Sequence, residues 1–100
     1  MRVEIARKAR SDLRGIALFI ASDNPRRALT FYEELQAACE SLALHSDRYP
    51  IVRNHGHLNI RRRPYGRYLI YYCVDERKVT VLRVVHGAMS DERIFGERDQ

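Results

Sequence analysis

Two apolar stripes of helical period, parted by a few polar residues, constrain this chain more than any other feature. Ala9, Leu13, Ile16, Ala17 and Ile20 recur at spacings of three and four, which predicts a helix from about Ala9 to Ser22. "SDNP" ends it. Asn24 then offers an N-cap, and Pro25 suits the first helical position, where no N–H is needed. From there Ala28, Phe31, Tyr32, Leu35, Ala38, Cys39 and Leu42 form one further stripe. Helices this close must fold back as an antiparallel hairpin.

The remainder reads as strands. "RVEIA" alternates Val3 and Ile5 with polar neighbours and predicts a short first strand. "HSDRYPIVRNHGH" reads as a loop, with Pro50 and Gly56 as breakers. Leu58, Ile60 and Arg62 then alternate with Asn59, Arg61 and Arg63, giving a strand with one strongly basic face. Pro64 and Gly66 turn the chain into "RYLIYYCV", and "DERK" turns it into "VTVLRVVHG". Short turns make these three strands an antiparallel meander, with the first strand pairing at its edge. The expected fold is α+β, a helical hairpin covering one face of a mainly antiparallel sheet.

One hundred residues make one domain, 1–100, with a single modest core. The hydrophobic fraction of 45% and charged fraction of 31% are those of a globular protein. The longest apolar run, Ile16 to Ala21, is too short to span a bilayer, and no apolar signal-peptide core follows the basic N-terminus. A cytoplasmic location is expected, with Cys39 and Cys73 as buried thiols. Residues 1–50 carry 8 Lys and Arg against 7 Asp and Glu, while residues 51–100 carry 10 against 6. Between Asp47 and Asp75 there is no carboxylate, only Arg48, Arg53, Arg61, Arg62, Arg63 and Arg67. Such a stretch attracts polyanions, either nucleic acid or an acidic protein, and arginine forks suit planar anions.

Arg83 is the anomaly. It sits among Val79, Val81, Leu82, Val84 and Val85, and a guanidinium cannot be left unpaired in an apolar layer. It requires a carboxylate or carbonyl of its own chain, a groove open to water, or a group from outside. His86 and Gly87 close that strand. "HGH" at His55–His57 lacks a further ligand at metal-site spacing, so no metal is expected. Tyr65, Tyr68, Tyr71 and Tyr72, interleaved with arginines, suit either base stacking or a half-covered sheet face. Phosphate-binding glycine loops, nucleophile elbows and dinucleotide fingerprints are missing from the sequence, and no cofactor is expected.

"ARSDLRGIALFIASDNPRRALTFYEEL", "NIRR", "RYLIYYCV" and "VTVLRVVHGAMSD", in this order, resemble the ParE toxins of the RelE/ParE superfamily over roughly Val3 to Ile94. The resemblance implies the toxin of a type II toxin–antitoxin system, often a plasmid-stabilization module. It implies inhibition of DNA gyrase, and neutralisation by an acidic ParD-type antitoxin with a ribbon-helix-helix domain and a C-terminal arm. No membrane contact and no DNA sequence recognition by this chain are implied. The antitoxin arm is expected on Arg61, Arg63, Arg67, Tyr71 and Arg83, with Arg83 on the sheet face that the hairpin leaves open. Ile94 and Phe95, apolar in a charged tail, are expected with His86 and Met89 to meet the target. The alternative is a RelE-type ribosome-dependent mRNA endonuclease using Arg61, Arg83 and His86 to hold phosphate and move protons. Against it, the only lysines are Lys8 and Lys78, no tyrosine follows the last strand, and Asp91 and Glu92 would repel RNA. A degenerate toxin retained for its antitoxin is a third reading.

Overall fold

The computed structural model describes residues 1–56, 58–89 and 91–96. Strand β1 (Arg2–Ile5) leads into helix α1 (Arg7–Ala21), and α2 (Pro25–Glu40) folds back along it. Asn24 caps α2 as the sequence predicts, its Oδ1 accepting the Arg27 N–H at 3.1 Å. The second apolar stripe was expected to run unbroken to Leu42. Instead α2 stops at Glu40, and a single turn, α3 (Leu42–His45), follows. At the break the Ser41 Oγ donates to the Ala38 carbonyl at 2.8 Å, a local side-chain bond of the kind that competes with the backbone ladder. Leu42 is nevertheless fully buried, so the stripe crosses the break.

Four more strands follow: β2 (Ile51–His55), β3 (Leu58–Tyr65), β4 (Tyr68–Val74) and β5 (Lys78–His86). With β1 they form one sheet in the order β1-β5-β4-β3-β2. The first strand pairs at the edge, parallel to β5, and the other pairs are antiparallel. Gly66 opens the two-residue turn between β3 and β4 at φ 57°, a conformation that costs glycine nothing. The meander has four strands, not three. The segment read as a loop supplies β2, which slips register between Ile51 and Arg53 and so lacks the alternation by which strands are recognised.

Each face of the sheet carries its own core. On the hairpin side Ala9, Leu13, Leu35 and Cys39 meet Tyr72, Val79 and Val81, all buried. Burial pushes the Cys39 thiol up to about 12, which leaves it protonated and inert. On the other side Ile60, Tyr71 and Val85 lie beneath Met89 and a short helix, α4 (Asp91–Phe95). That face was expected to be open. Ile94 and Phe95 close part of it, because burying them removes apolar surface from water on both sides of the contact.

Candidate functional site

The sheet's first strand ends too early to cover β5. Its register runs only to Ile5 opposite Val81, where the Ala6 N–H donates to the Val81 carbonyl at 2.9 Å. Just beyond, the pairing of β4 with β5 slips: Tyr72 opposes Val81 and Tyr71 opposes Arg83, so Leu82 is an extra residue. Arg83 meets α1 at this irregularity. Its Nε lies 2.7 Å from Asp12 Oδ2 and its Nη2 3.1 Å from Oδ1, a two-pronged ion pair. Asp12 Oδ2 also accepts the Val84 N–H at 2.9 Å. One carboxylate thus neutralises the guanidinium and satisfies an edge amide that β1 does not reach. Both side chains are mostly covered, Arg83 17% and Asp12 14% exposed. By register Arg83 stands opposite Tyr71, a residue of the second core, and its side chain reaches Asp12 past the edge of β5 that β1 leaves uncovered.

The other residues expected to hold an antitoxin are not gathered on one free surface. Arg61 donates to the Tyr49 and Asp47 carbonyls. Arg63 donates to the Ala38 carbonyl and to Ser41 Oγ, at the end of α2, with its guanidinium 5.3 Å from the Tyr49 ring centroid. These forks pin the chain between α2 and β2. Arg67 is exposed in the β3–β4 turn, where its carbonyl accepts the Gly87 N–H at 2.8 Å. Tyr71 is fully buried and meets Phe95 edge-on at 5.2 Å between centroids, so it presents no surface to a partner. Tyr72 is buried too, its hydroxyl donating to the Ser46 carbonyl at 2.7 Å. Base stacking at either ring is thereby corrected.

His86 is exposed at the end of β5. Its Nδ1 accepts the Ala88 N–H at 3.1 Å, and its ring stands edge-on to Tyr68 at 5.7 Å. With Arg83 it lines a groove of about 430 Å³ that runs along α1 past Gly15, Ile16 and Phe19. Met89 borders this groove as well, and with Ile94 and Phe95 it packs against the core of Ile60, Tyr71 and Val85. Of the four residues expected to meet the target, His86 and Met89 line the groove, and Met89 joins Ile94 and Phe95 over the second core. Of the ribonuclease set, Arg83 and His86 share the groove, while Arg61 is engaged at Tyr49. His57 and the His55 side chain lie outside the described residues.

One residue escaped the sequence reading. Asp12 is the one acid of α1, next to the core residue Leu13, and that isolation was its available signal. Arg53 was read only as one of the arginines between Asp47 and Asp75, and nothing in the sequence marked its burial. It is only 8% exposed; Nη2 donates to the Gly96 carbonyl at 2.7 Å, and among the described residues Nη1 has no hydrogen-bond partner. The Phe95 ring centroid lies 5.8 Å from its guanidinium.

A mixed sheet of this order with a helical hairpin on one face is the architecture of small toxins of the RelE/ParE class. The sequence profile of the family described as "ParE toxin of type II toxin-antitoxin system, parDE" matches residues 3–91, and the chain belongs to that family. Among solved structures it is similar to the chromosomal ParDE toxin–antitoxin system from P. aeruginosa. That match has 18% identity and a TM-score of 0.72, over 86% of this chain and 95% of the other. It is also similar to a RelBE toxin–antitoxin complex from Mycobacterium tuberculosis, at 24% identity and a TM-score of 0.50, over 85% and 95% of the two chains. An archaeal RelE–RelB complex from Pyrococcus horikoshii matches at 20% identity and a TM-score of 0.48, over 89% and 97%. No curated protein matches the sequence.

Proposed function

We propose that this ParE-family toxin acts by binding a protein target, DNA gyrase, and is neutralised by an acidic ParD-type antitoxin. The observation that carries the choice of target is the Asp12–Arg83 pair. Cleavage of RNA by its own 2′-hydroxyl needs cations free to stabilise a pentacovalent phosphate. Arg83 is already neutralised, and drawing it onto a phosphate would leave the part-buried Asp12 carboxylate without its cation. Arg61 and Arg63 are held by carbonyls in the same way. A binding mode asks nothing of these groups beyond the shape they maintain. The similar fold in P. aeruginosa belongs to a ParDE system, which supports a ParD-type partner here.

The ribonuclease reading retains one observation in its favour, that Arg83 and His86 line a common groove. Two assays separate the readings: supercoiling by purified gyrase, and cleavage of messenger RNA on translating ribosomes. Inhibited supercoiling with intact message is the expected result. Message cleaved in codon phase, and left whole by His86→Ala, would overturn the gyrase reading.

A further inference from the structure

Helix α1 packs against α2 and β5, and its remaining flank is bare. Leu18 is 71% exposed there and Phe19 76%, two adjacent apolar side chains held in water. Gly15 stands one turn before both, and Ser11 one turn earlier again. A glycine inside a helix is destabilising relative to alanine. Nothing in the chain requires this one, since an added Cβ would meet no atom within 4 Å. Gly15, Ser11 and Phe19 all border the groove of about 430 Å³ that Tyr68, His86 and Met89 line from the sheet. A projecting ring thus stands beside a hollow.

The charges of α1 run against its own dipole. A helix favours acids at its N-terminus and bases at its C-terminus. Here the first turn holds Arg7, Lys8 and Arg10 and no acid, the last turn holds no base, and Asp23 follows directly on the C-cap Ser22. Lys8 and Asp23 are exposed, and neither has an ion-pair partner among the described residues. An antiparallel helix supplies what each end lacks, and a second α1 does so in register. When two copies cross at Gly15, two-fold symmetry sets Ser11 opposite Phe19 and Lys8 opposite Ser22, with Asp23 alongside. Lys8 lies about 10.5 Å and Asp23 about 12 Å along the axis from that crossing, so the lysine of one copy reaches the carboxylate of the other. Each copy carries a formal net charge of +5, which opposes association unless opposite charges meet at the contact.

We propose that this flank of α1 is the contact between two copies of the chain, packed antiparallel about Gly15. Phe19 of each copy enters the groove of the other beside Ser11, and Asp23 of each meets Lys8 of the other. The same patch serves both copies, so the assembly closes at two. This goes beyond the reading of target and antitoxin and depends on neither.

Sedimentation equilibrium of the full chain over a range of concentrations tests it. The mass is expected to rise from 11.8 kDa toward twice that value as concentration increases. Gly15→Leu adds a Cβ that meets nothing in its own chain and favours the helix, so the variant melts no lower than the parent. It is nevertheless expected to weaken association about tenfold or more. Lys8→Glu and Asp23→Lys each bring α1 into line with its dipole, so each leaves the chain folded while weakening the pair about tenfold. Combined, the two reversals restore the attraction and return the dissociation constant close to the parent's. A chain that stays at 11.8 kDa up to millimolar concentration overturns the proposal. So does a dimer indifferent to Gly15→Leu, or one that the double reversal fails to restore. Loss of antitoxin or gyrase binding in Gly15→Leu, with the parent alone monomeric, assigns the flank to a different protein and overturns the second copy as its occupant.

Discussion

The two faces of the sheet are built on different terms. The hairpin face is covered by helices of 15 and 16 residues with continuous apolar stripes. On that side Arg61 and Arg63 each reach oxygen acceptors of the chain. The other face is closed in part by α4, five residues long. A helix so short does not persist by itself, so Ile94 and Phe95 hold it in place. Arg53, buried beneath it, obtains one carbonyl, and its other terminal nitrogen finds no acceptor among the described residues. The first face is the fold; the second is an attachment to it.

The contrast is broken most severely through the hairpin. Leu35 is 1% exposed at the meeting of α2 and the sheet, so Leu35→Ala is expected to cost about 2–5 kcal/mol. Urea unfolding followed by circular dichroism checks this, and a parent-like midpoint would mean that the hairpin does not bear the stability assigned to it. Asp12→Ala should cost roughly 2–3 kcal/mol, because it strands the Arg83 guanidinium and the Val84 N–H together. Adding Arg83→Met should recover part of that loss by removing the orphaned charge. If the double variant is no more stable than Asp12→Ala, the carboxylate serves the Val84 amide and little else.

On the attached face a deletion should be milder. Phe95 is only partly covered, so Phe95→Ala should cost roughly 1–2 kcal/mol, below what a fully buried phenylalanine costs. The main signature is local. Amide exchange near Tyr71 and Arg53 should quicken while protection in α1 and α2 is kept. A uniform rise in exchange across both faces would show the two cores melting as one unit.

What the sequence disclosed follows from how local each cause is. The hairpin was legible because Asn24 and Pro25 act on their neighbours and the apolar stripes repeat within a few residues. That Arg83 needs a partner was legible too, since burial in a valine-rich strand demands one. Which partner was not, because Asp12 lies 71 residues away and nothing between them encodes the pairing. β2 went unread because an edge strand with a register slip relies on backbone bonds to β3 rather than on alternation. The arginines of β3 suggested an anion, yet a fork also bridges two carbonyl or hydroxyl oxygens, and Arg61 and Arg63 do this. Ile94 and Phe95 stood out in a charged tail, but burial against a partner and burial against the chain's own sheet carry the same signature.

The smallest effect sharpens the comparison at the sheet's edge, where neither cover reaches. Val3 and Ile5 pack into the hairpin core, so Glu4 points to the other side, and there its Oε2 meets Lys78 Nζ at 2.6 Å. The hydrogen bond from Lys78 holds the Glu4 carboxyl below the ordinary glutamate range, its charge adds to this, and Arg2 and Arg10 contribute further. A depressed folded-state pKa means that the unfolded chain takes up a proton first as acid is added. The contribution is therefore complete above the ordinary glutamate pKa and disappears as the pH falls through the folded value. Asp75 behaves alike for another reason, since the Arg77 and Lys78 backbone N–H groups lower it. Lys78→Met should consequently flatten the acid limb only in part, removing the Glu4 component and leaving that of Asp75. Unfolding midpoints in urea from neutral pH to below the carboxylate range provide the measurement. Because the pair is exposed, the two proteins should nearly coincide at neutral pH and differ only in how they lose stability in acid. Acid limbs that run parallel would assign the loss to Asp75 and leave Glu4 without a share.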